Sequence, residues 1–196
     1  MGSWWCSPGG WPSPNPKAHT EVFYVAQGHA SITDADGVKH YFGPGDTVII
    51  PKGHSGRWDV YQDIHKIWLV NDHANIEERS SPIRVKVIHY QDYHINTGAP
   101  QGYGAALSSN LSASRYLYDV GPTKVGIWTE NERGTVYKVT STERLSFLVL
   151  QGVVVLSTHD GAVQRLQAGD TVVLPKGWSG YLDVVEPVKK LWTQAN

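Results

Sequence analysis

Residues 28–68, GHASITDADGVKHYFGPGDTVIIPKGHSGRWDVYQDIHKIW, recur in this chain as residues 152–192, GVVVLSTHDGAVQRLQAGDTVVLPKGWSGYLDVVEPVKKLW. The two stretches align without a gap at a constant offset of 124 positions, and 16 of the 41 aligned residues are identical. A repeat of this length predicts two copies of one domain. Positions at which the copies differ then indicate where a function belongs to one copy alone.

The bulk composition is that of an ordinary folded protein. The chain has 196 residues, of which 40% are hydrophobic, and a formal net charge of −1, so it can bury a substantial core. Without a surplus of basic residues, nucleic acid is not an expected partner. No apolar run is long enough for a membrane span, and the first residues lack the pattern of a secretion signal. We therefore expect a cytoplasmic protein with no membrane partner.

Short strands separated by turns account for both copies. Residues Glu21–Val25 and Leu145–Val149 are rich in β-branched and aromatic side chains, which favours strands. Asp-Gly pairs at 36–37 and 160–161 lie between two such runs, where a tight hairpin turn requires positive φ. The pattern predicts an all-β sandwich or small barrel in each half.

The order of these motifs resembles a known superfamily. The segments EVFYVAQG (21–28) and GPGDTVIIPKG (43–53), separated by an Asp-Gly turn, resemble the two motifs of the cupin superfamily. The Pro-Lys-Gly-x-Ser-Gly endings at 51–56 and 175–180 are similar to the branch that includes (S)-ureidoglycine aminohydrolase and the ethanolamine-utilisation cupins. Because both copies match, the resemblance implies a bicupin, with two tandem cupin barrels of the jelly-roll or double-stranded β-helix type.

The repeat also predicts the domain boundaries. We expect a first cupin over 1–72, a linker with the N-terminal strands of the second cupin over 73–125, and the second cupin core over 126–196. Residues 83–88 and 114–118 are the strand candidates in the middle segment. We expect the first copy to lack the counterpart of its leading strand, so that either the chain is truncated there or a partner supplies the strand at that sheet edge. That edge, and the common pairing of cupin sheets, predict a homo-oligomer.

The resemblance implies a metal site, but the usual ligand pattern is largely absent. In the family, a His-x-His pair precedes a Glu, and a further His follows the Pro-x-Gly of the second motif. Here Glu21 keeps the Glu position, whereas the pair reads Asn15 and Lys17 and the later His position is Gly56. In the second copy the Glu position is Leu145.

A different set of ligand-type residues occurs in the first copy alone. His19 and Glu21 are two apart on an expected strand, so their side chains leave the same face, and His54 follows the Pro-Lys-Gly turn. Two imidazoles and a carboxylate suit Mn, Fe, Ni or Zn. Two alternatives stay open. His19 and Glu21 could form an acid and base pair without metal, or they could only hydrogen-bond each other while His54 lies in an exposed loop.

Three further residues are candidates for a small-molecule pocket. Trp58 and Trp178 each occur in one copy only, and a flat apolar ring can form one wall of a pocket. Lys17 is a nearby polar group.

Two functions follow from these residues. One is a metal-capable hydrolase, isomerase or dioxygenase acting on a small polar metabolite in the first barrel, with Glu21 and His19 catalytic and the second barrel structural. The other is a metal-free binding or sensing bicupin. The resemblance to (S)-ureidoglycine aminohydrolase implies a set of metal ligands in the second cupin. Of those ligand types, residues 143–147 of this chain keep only a Glu, which argues against that specific activity.

Overall fold

A computed structural model describes residues 1–72, 82–94 and 112–195. The chain divides into two compact units, Met1–Ile95 and Asn96–Asn196. Residues 73–81 and 95–111 of the expected segment 73–125 lie outside the described residues.

The described part of the first unit contains nine short strands in two antiparallel sheets. One sheet has the order β1-β8-β3-β6-β9, and the other has the order β2-β7-β4-β5. The strands are β1 (Gly2–Cys6), β2 (Gly9–Ser13), β3 (Thr20–Gln27), β4 (Ala30–Asp34), β5 (Lys39–Phe42), β6 (Thr47–Ile50), β7 (Gly56–Val60), β8 (Ile64–Asn71) and β9 (Lys86–Ile88). A 3-10 turn follows at Tyr90–His94.

The strands described in the second unit include longer ones, of up to 17 residues. Its strands are β10 (Ser112–Val120), β11 (Thr123–Glu130), β12 (Val136–Thr140), β13 (Arg144–Thr158), β14 (Val163–Gln167), β15 (Thr171–Leu174) and β16 (Ser179–Ala195). They form one sheet of order β10-β11-β16-β13-β14, with β12 paired to β16 and β15 to β13. The all-β class and the cupin jelly-roll fold predicted from the sequence are confirmed.

The Asp-Gly hairpin turns adopt the expected geometry in both units. Gly37 has φ 89° and Gly161 has φ 87°. In the first turn the Gly37 amide donates to the Asp34 carbonyl (2.9 Å), and in the second the Gly161 amide donates to the Thr158 carbonyl (3.1 Å). Glycine tolerates positive φ without a steric penalty, so the turns close where the sequence predicts.

The expectation that residues 83–88 complete the second barrel is wrong. Lys86–Ile88 forms β9, which pairs with Thr47–Ile49 of β6 in the first unit. Two contacts hold this segment there: the Val85 amide donates to the buried Asp34 Oδ1 (3.1 Å), and Arg84 forms an exposed ion pair with Asp36 (2.7 Å). Residues 114–118 do belong to the second unit, in β10.

Each unit has its own apolar core. The first contains Phe23, Val25, Ile32, Val48 and Ile64, and the second contains Phe147, Val149, Leu156, Val172 and Val188. Phe23 and Val25 occupy the places of Phe147 and Val149 under the 124-residue offset, so equivalent positions form equivalent cores. No helix within the described residues is long and apolar enough to cross a membrane.

Candidate functional site

A buried carboxylate between two lysines is the main polar feature inside the first unit. Glu21, on β3, accepts a hydrogen bond from Lys66 Nζ at 2.5 Å and another from Lys17 Nζ at 2.9 Å. The side chains of Glu21 and Lys66 are 10% and 8% exposed, whereas that of Lys17 is 31% exposed. Lys17 is therefore the member of this Glu21–lysine cluster nearest to solvent.

The turn after β6 positions Lys17. The Lys17 amide donates to the His54 carbonyl (2.8 Å), and the Lys17 carbonyl accepts from the Gly53 amide (2.8 Å). Gly53 has φ 88°, so the Pro-Lys-Gly turn presents its backbone groups to the segment before β3. The motif that the two copies share thus places the amine of Lys17 beside Glu21.

Aromatic rings surround the ammonium group of Lys66. Its Nζ lies 4.3 Å from the ring centroid of Phe23, 4.7 Å from that of Trp58 and 5.0 Å from that of Trp4. Trp58 in turn stacks on Trp11 with a centroid distance of 6.1 Å. Ring faces attract cations, most strongly where water is excluded, so these rings offset part of the desolvation of the ammonium.

Burial and charge pairing shift the pKa values of this pair. Burial alone raises the pKa of Glu21, but Lys66 and Lys17 outweigh it and hold the pKa below 4.5. Burial lowers the pKa of Lys66, and the attraction of Glu21 offsets only part of that effect. Glu21 is therefore an ionised hydrogen-bond acceptor at neutral pH.

The three residues predicted as metal ligands do not come together. His19 precedes β3 instead of lying on it, is partly exposed, and has its Nδ1 3.2 Å from Asp72 Oδ1. His54 is buried with its Nε2 2.8 Å from Asp34 Oδ1. Glu21 is bound to the lysines. Over the described ranges 1–72, 82–94 and 112–195, no group of three or more His, Cys, Asp or Glu side chains could hold a metal ion.

His54 belongs to a buried network instead of a loop surface. The fully buried carboxylate of Asp34 lies 2.8 Å from His54 Nε2 and 2.6 Å from His40 Nε2, and it also accepts the Val85 amide. In the second copy the positions of Asp34 and His54 hold Thr158 and Trp178. The network is thus specific to the first unit, where it holds β9 in place.

The tryptophans predicted as pocket walls are packed against the cores. Trp58 is 6% exposed and contacts Phe23 and Phe42 in the first core. Trp178 is partly buried against the second core. Trp58 nevertheless borders the Glu21–lysine cluster, because its ring faces the Lys66 ammonium group.

Sequence reasoning missed Lys66, although the repeat contained the signal. Lys66 and Lys190 are identical residues at equivalent positions, on strands whose neighbouring buried residues are apolar. Lysine is almost never fully buried unless it has a partner. A lysine kept at an inward strand position in both copies therefore indicates a buried polar site.

The jelly-roll fold defines the class of protein as a cupin. The model of the EutQ-like cupin domain family matches residues 1–68 and 119–192, one region in each unit. The chain belongs to this family. A comparison with curated proteins finds no significant match.

Solved structures share the fold at low sequence identity. A protein of unknown function from Pseudomonas syringae pv. tomato has a TM-score of 0.75 at 16% identity, covering 99% of this chain and 80% of its own. Salicylate 1,2-dioxygenase from Pseudoaminobacter salicylatoxidans gives 0.68 at 12%, covering 98% and 69%. Oxalate decarboxylase from Lactobacillus farciminis, in a formate complex, gives 0.61 at 12%, covering 99% and 75%. Enzymes and proteins of unknown function thus share this architecture.

Proposed function

We propose that the first unit binds a small polar metabolite at the Glu21–lysine cluster without a metal. The observation that carries the proposal is the buried Glu21 carboxylate held between Lys66 inside and the more exposed Lys17. A buried charge network costs desolvation energy that an apolar core would avoid. The cluster supplies convergent polar groups, of which Lys17 is the most exposed, and such groups are typical of a ligand site.

The charges indicate the class of ligand. Two lysines and one glutamate leave the cluster with a net positive charge, which favours a ligand carboxylate at Lys17. The ionised Glu21 accepts hydrogen bonds, so it favours an amino or hydroxyl group on the same ligand. A small amino acid or hydroxy acid satisfies both. The names of two structural relatives refer to salicylate and oxalate, which are small carboxylates, and this supports the choice.

Binding is a better account of this geometry than metal catalysis. His54 is hydrogen-bonded to Asp34 and Glu21 to the lysines, and the described residues contain no group of three or more His, Cys, Asp or Glu side chains that could hold a metal ion, so the suggested ligands do not fit a divalent metal. Glu21 is ionised at neutral pH and cannot act as a general acid there. We therefore assign no metal-dependent step to this site.

Isothermal titration calorimetry in chelator-treated buffer tests the proposal. Glycine and glycolate carry both ligand groups, whereas acetate and ethylamine carry one each, so the first pair should bind more tightly. Lys17→Met and Glu21→Gln should weaken binding by about tenfold or more, since each removes a charge-assisted hydrogen bond. Lys39→Met is the matched control, because Lys39 has similar exposure and pairs with Asp59 instead.

The outcomes separate the two functions. Equal binding by wild type and Lys17→Met would refute the assignment of the site. Binding or turnover that appears only after loading with Mn, Fe, Ni or Zn would refute the metal-free proposal in favour of a metal-dependent enzyme.

A further inference from the structure

The second unit contains a counterpart of the buried lysine. In the first unit Lys66 pairs in register with Trp4 of β1 and Val25 of β3. In the second, Lys190 pairs with Trp128 of β11 and Val149 of β13. Every one of these positions is related by the 124-residue offset, so the two lysines occupy the same place in the fold.

The aromatic surroundings are partly kept. Lys190 Nζ lies 4.5 Å from the ring centroid of Trp128 and 4.6 Å from that of Phe147. The third ring of the first unit, Trp58, is replaced by the smaller Leu182. The second unit thus keeps two aromatic rings whose faces attract the Lys190 ammonium, and a smaller leucine side chain replaces the third ring.

The carboxylate is the part that is missing. Leu145 occupies the place of Glu21, and it has the equivalent register partners on the two neighbouring strands. Lys190 is 8% exposed, and no described carboxylate forms an ion pair with it. The buried acid on β11, Glu130, instead accepts hydrogen bonds from the Tyr137 hydroxyl and the Glu132 amide.

A buried ammonium without a counter-charge is unstable relative to its neutral form or to an ion pair. Burial accordingly lowers the pKa of Lys190 to about 8. At pH 7 most of the Lys190 amine is still protonated. The second unit therefore holds a buried cation without the carboxylate that Glu21 supplies to Lys66 in the first unit.

We propose that the second unit is a binding site for a small monocarboxylate, which pairs with Lys190 as the Glu21 carboxylate pairs with Lys66. The ligand is a simple anion, since Leu145 stands where Glu21 would accept a hydrogen bond from an additional amino or hydroxyl group. This site is separate from the Glu21–lysine cluster and does not depend on the function proposed there.

NMR of the full chain labelled with ¹³C at lysine Cε provides the test, because that carbon reports the protonation of the adjacent amine. The Lys190 signal is assigned from Lys190→Met and titrated with pH in sodium acetate. Sodium chloride at equal ionic strength and acetamide are the controls. We expect acetate alone to raise the pKa of Lys190 by about one unit or more, which corresponds to at least tenfold tighter binding to the charged amine.

Two reciprocal substitutions locate the effect. Leu145→Glu should raise the pKa of Lys190 without acetate and abolish the acetate response, because an internal carboxylate then takes the site. Glu21→Leu should transfer the acetate response to Lys66. Thermal unfolding checks that each variant is folded.

The proposal is overturned if acetate shifts neither Lys190 in the wild type nor Lys66 in Glu21→Leu, or if chloride produces the same shift. Should Leu145→Glu or Lys190→Met not fold, the comparison of acetate with chloride in the wild type decides alone. The Lys190 signal is then assigned from Lys190→Arg.

Discussion

Replacing Lys190 by methionine should stabilise the protein in a way that depends on pH. Burial lowers the pKa of Lys190 from 10.5 to about 8. A lysine whose pKa is lower in the folded than in the unfolded state destabilises the fold wherever the unfolded chain would hold the proton. The penalty is complete below the folded pKa of about 8 and disappears as the pH rises to the unfolded value of 10.5.

The size of the effect follows from the shift. At 1.36 kcal/mol per pKa unit, the penalty at pH 7 is about 3 kcal/mol. Methionine has a similar length and no charge, so it removes this term. The unfolding free energy of Lys190→Met minus that of the wild type should therefore fall by about 3 kcal/mol between pH 7 and pH 10.5.

Urea unfolding in carboxylate-free buffers measures this difference. Other titrating groups are common to both proteins and cancel. Lys189→Met is the matched control, because it makes the same chemical change at the adjacent, less buried position. A difference between wild type and Lys190→Met that changes by less than about 1 kcal/mol over this range would refute the argument.

Three further predictions concern the first unit. Glu21→Gln leaves Lys66 buried without its counter-charge and should cost about 3 kcal/mol of unfolding free energy at pH 7; a loss below about 1 kcal/mol in urea unfolding would contradict the pairing. Because the pKa of Glu21 is below 4.5 in the folded state, its stabilising contribution is present above pH 4.5 and is lost as the pH falls through the folded pKa. Acid titration of the unfolding free energy should show this loss in the wild type but not in Glu21→Gln. Asp34→Asn removes the charged acceptor of His54 and should cost about 2 kcal/mol, whereas an unchanged thermal midpoint would contradict a structural role for that network.

The turns and strands could be predicted from the sequence, because they depend on residues that are close together in the chain. The positive φ required at Gly37 and Gly161 follows from an Asp-Gly pair between two β-rich runs. The repeat predicted two copies of one fold for the same reason, since equivalent local patterns fold alike. The placement of β9 could not be predicted from the sequence, because it depends on the hydrogen bond between Val85 and Asp34, which are far apart in the chain.

The sequence by itself determined the all-β class, the cupin resemblance and the positions of the copy-specific polar residues. Only the tertiary structure decided which of those residues meet. Glu21 lies four positions from Lys17 but 45 from Lys66, and a period-two strand pattern does not specify which distant strand supplies a partner. His19 was expected beside Glu21 because both were assigned to one strand, yet β3 begins after His19. Burial is what makes these lysines unusual. Water stabilises an exposed ammonium, which needs a charged partner only when the fold removes that water.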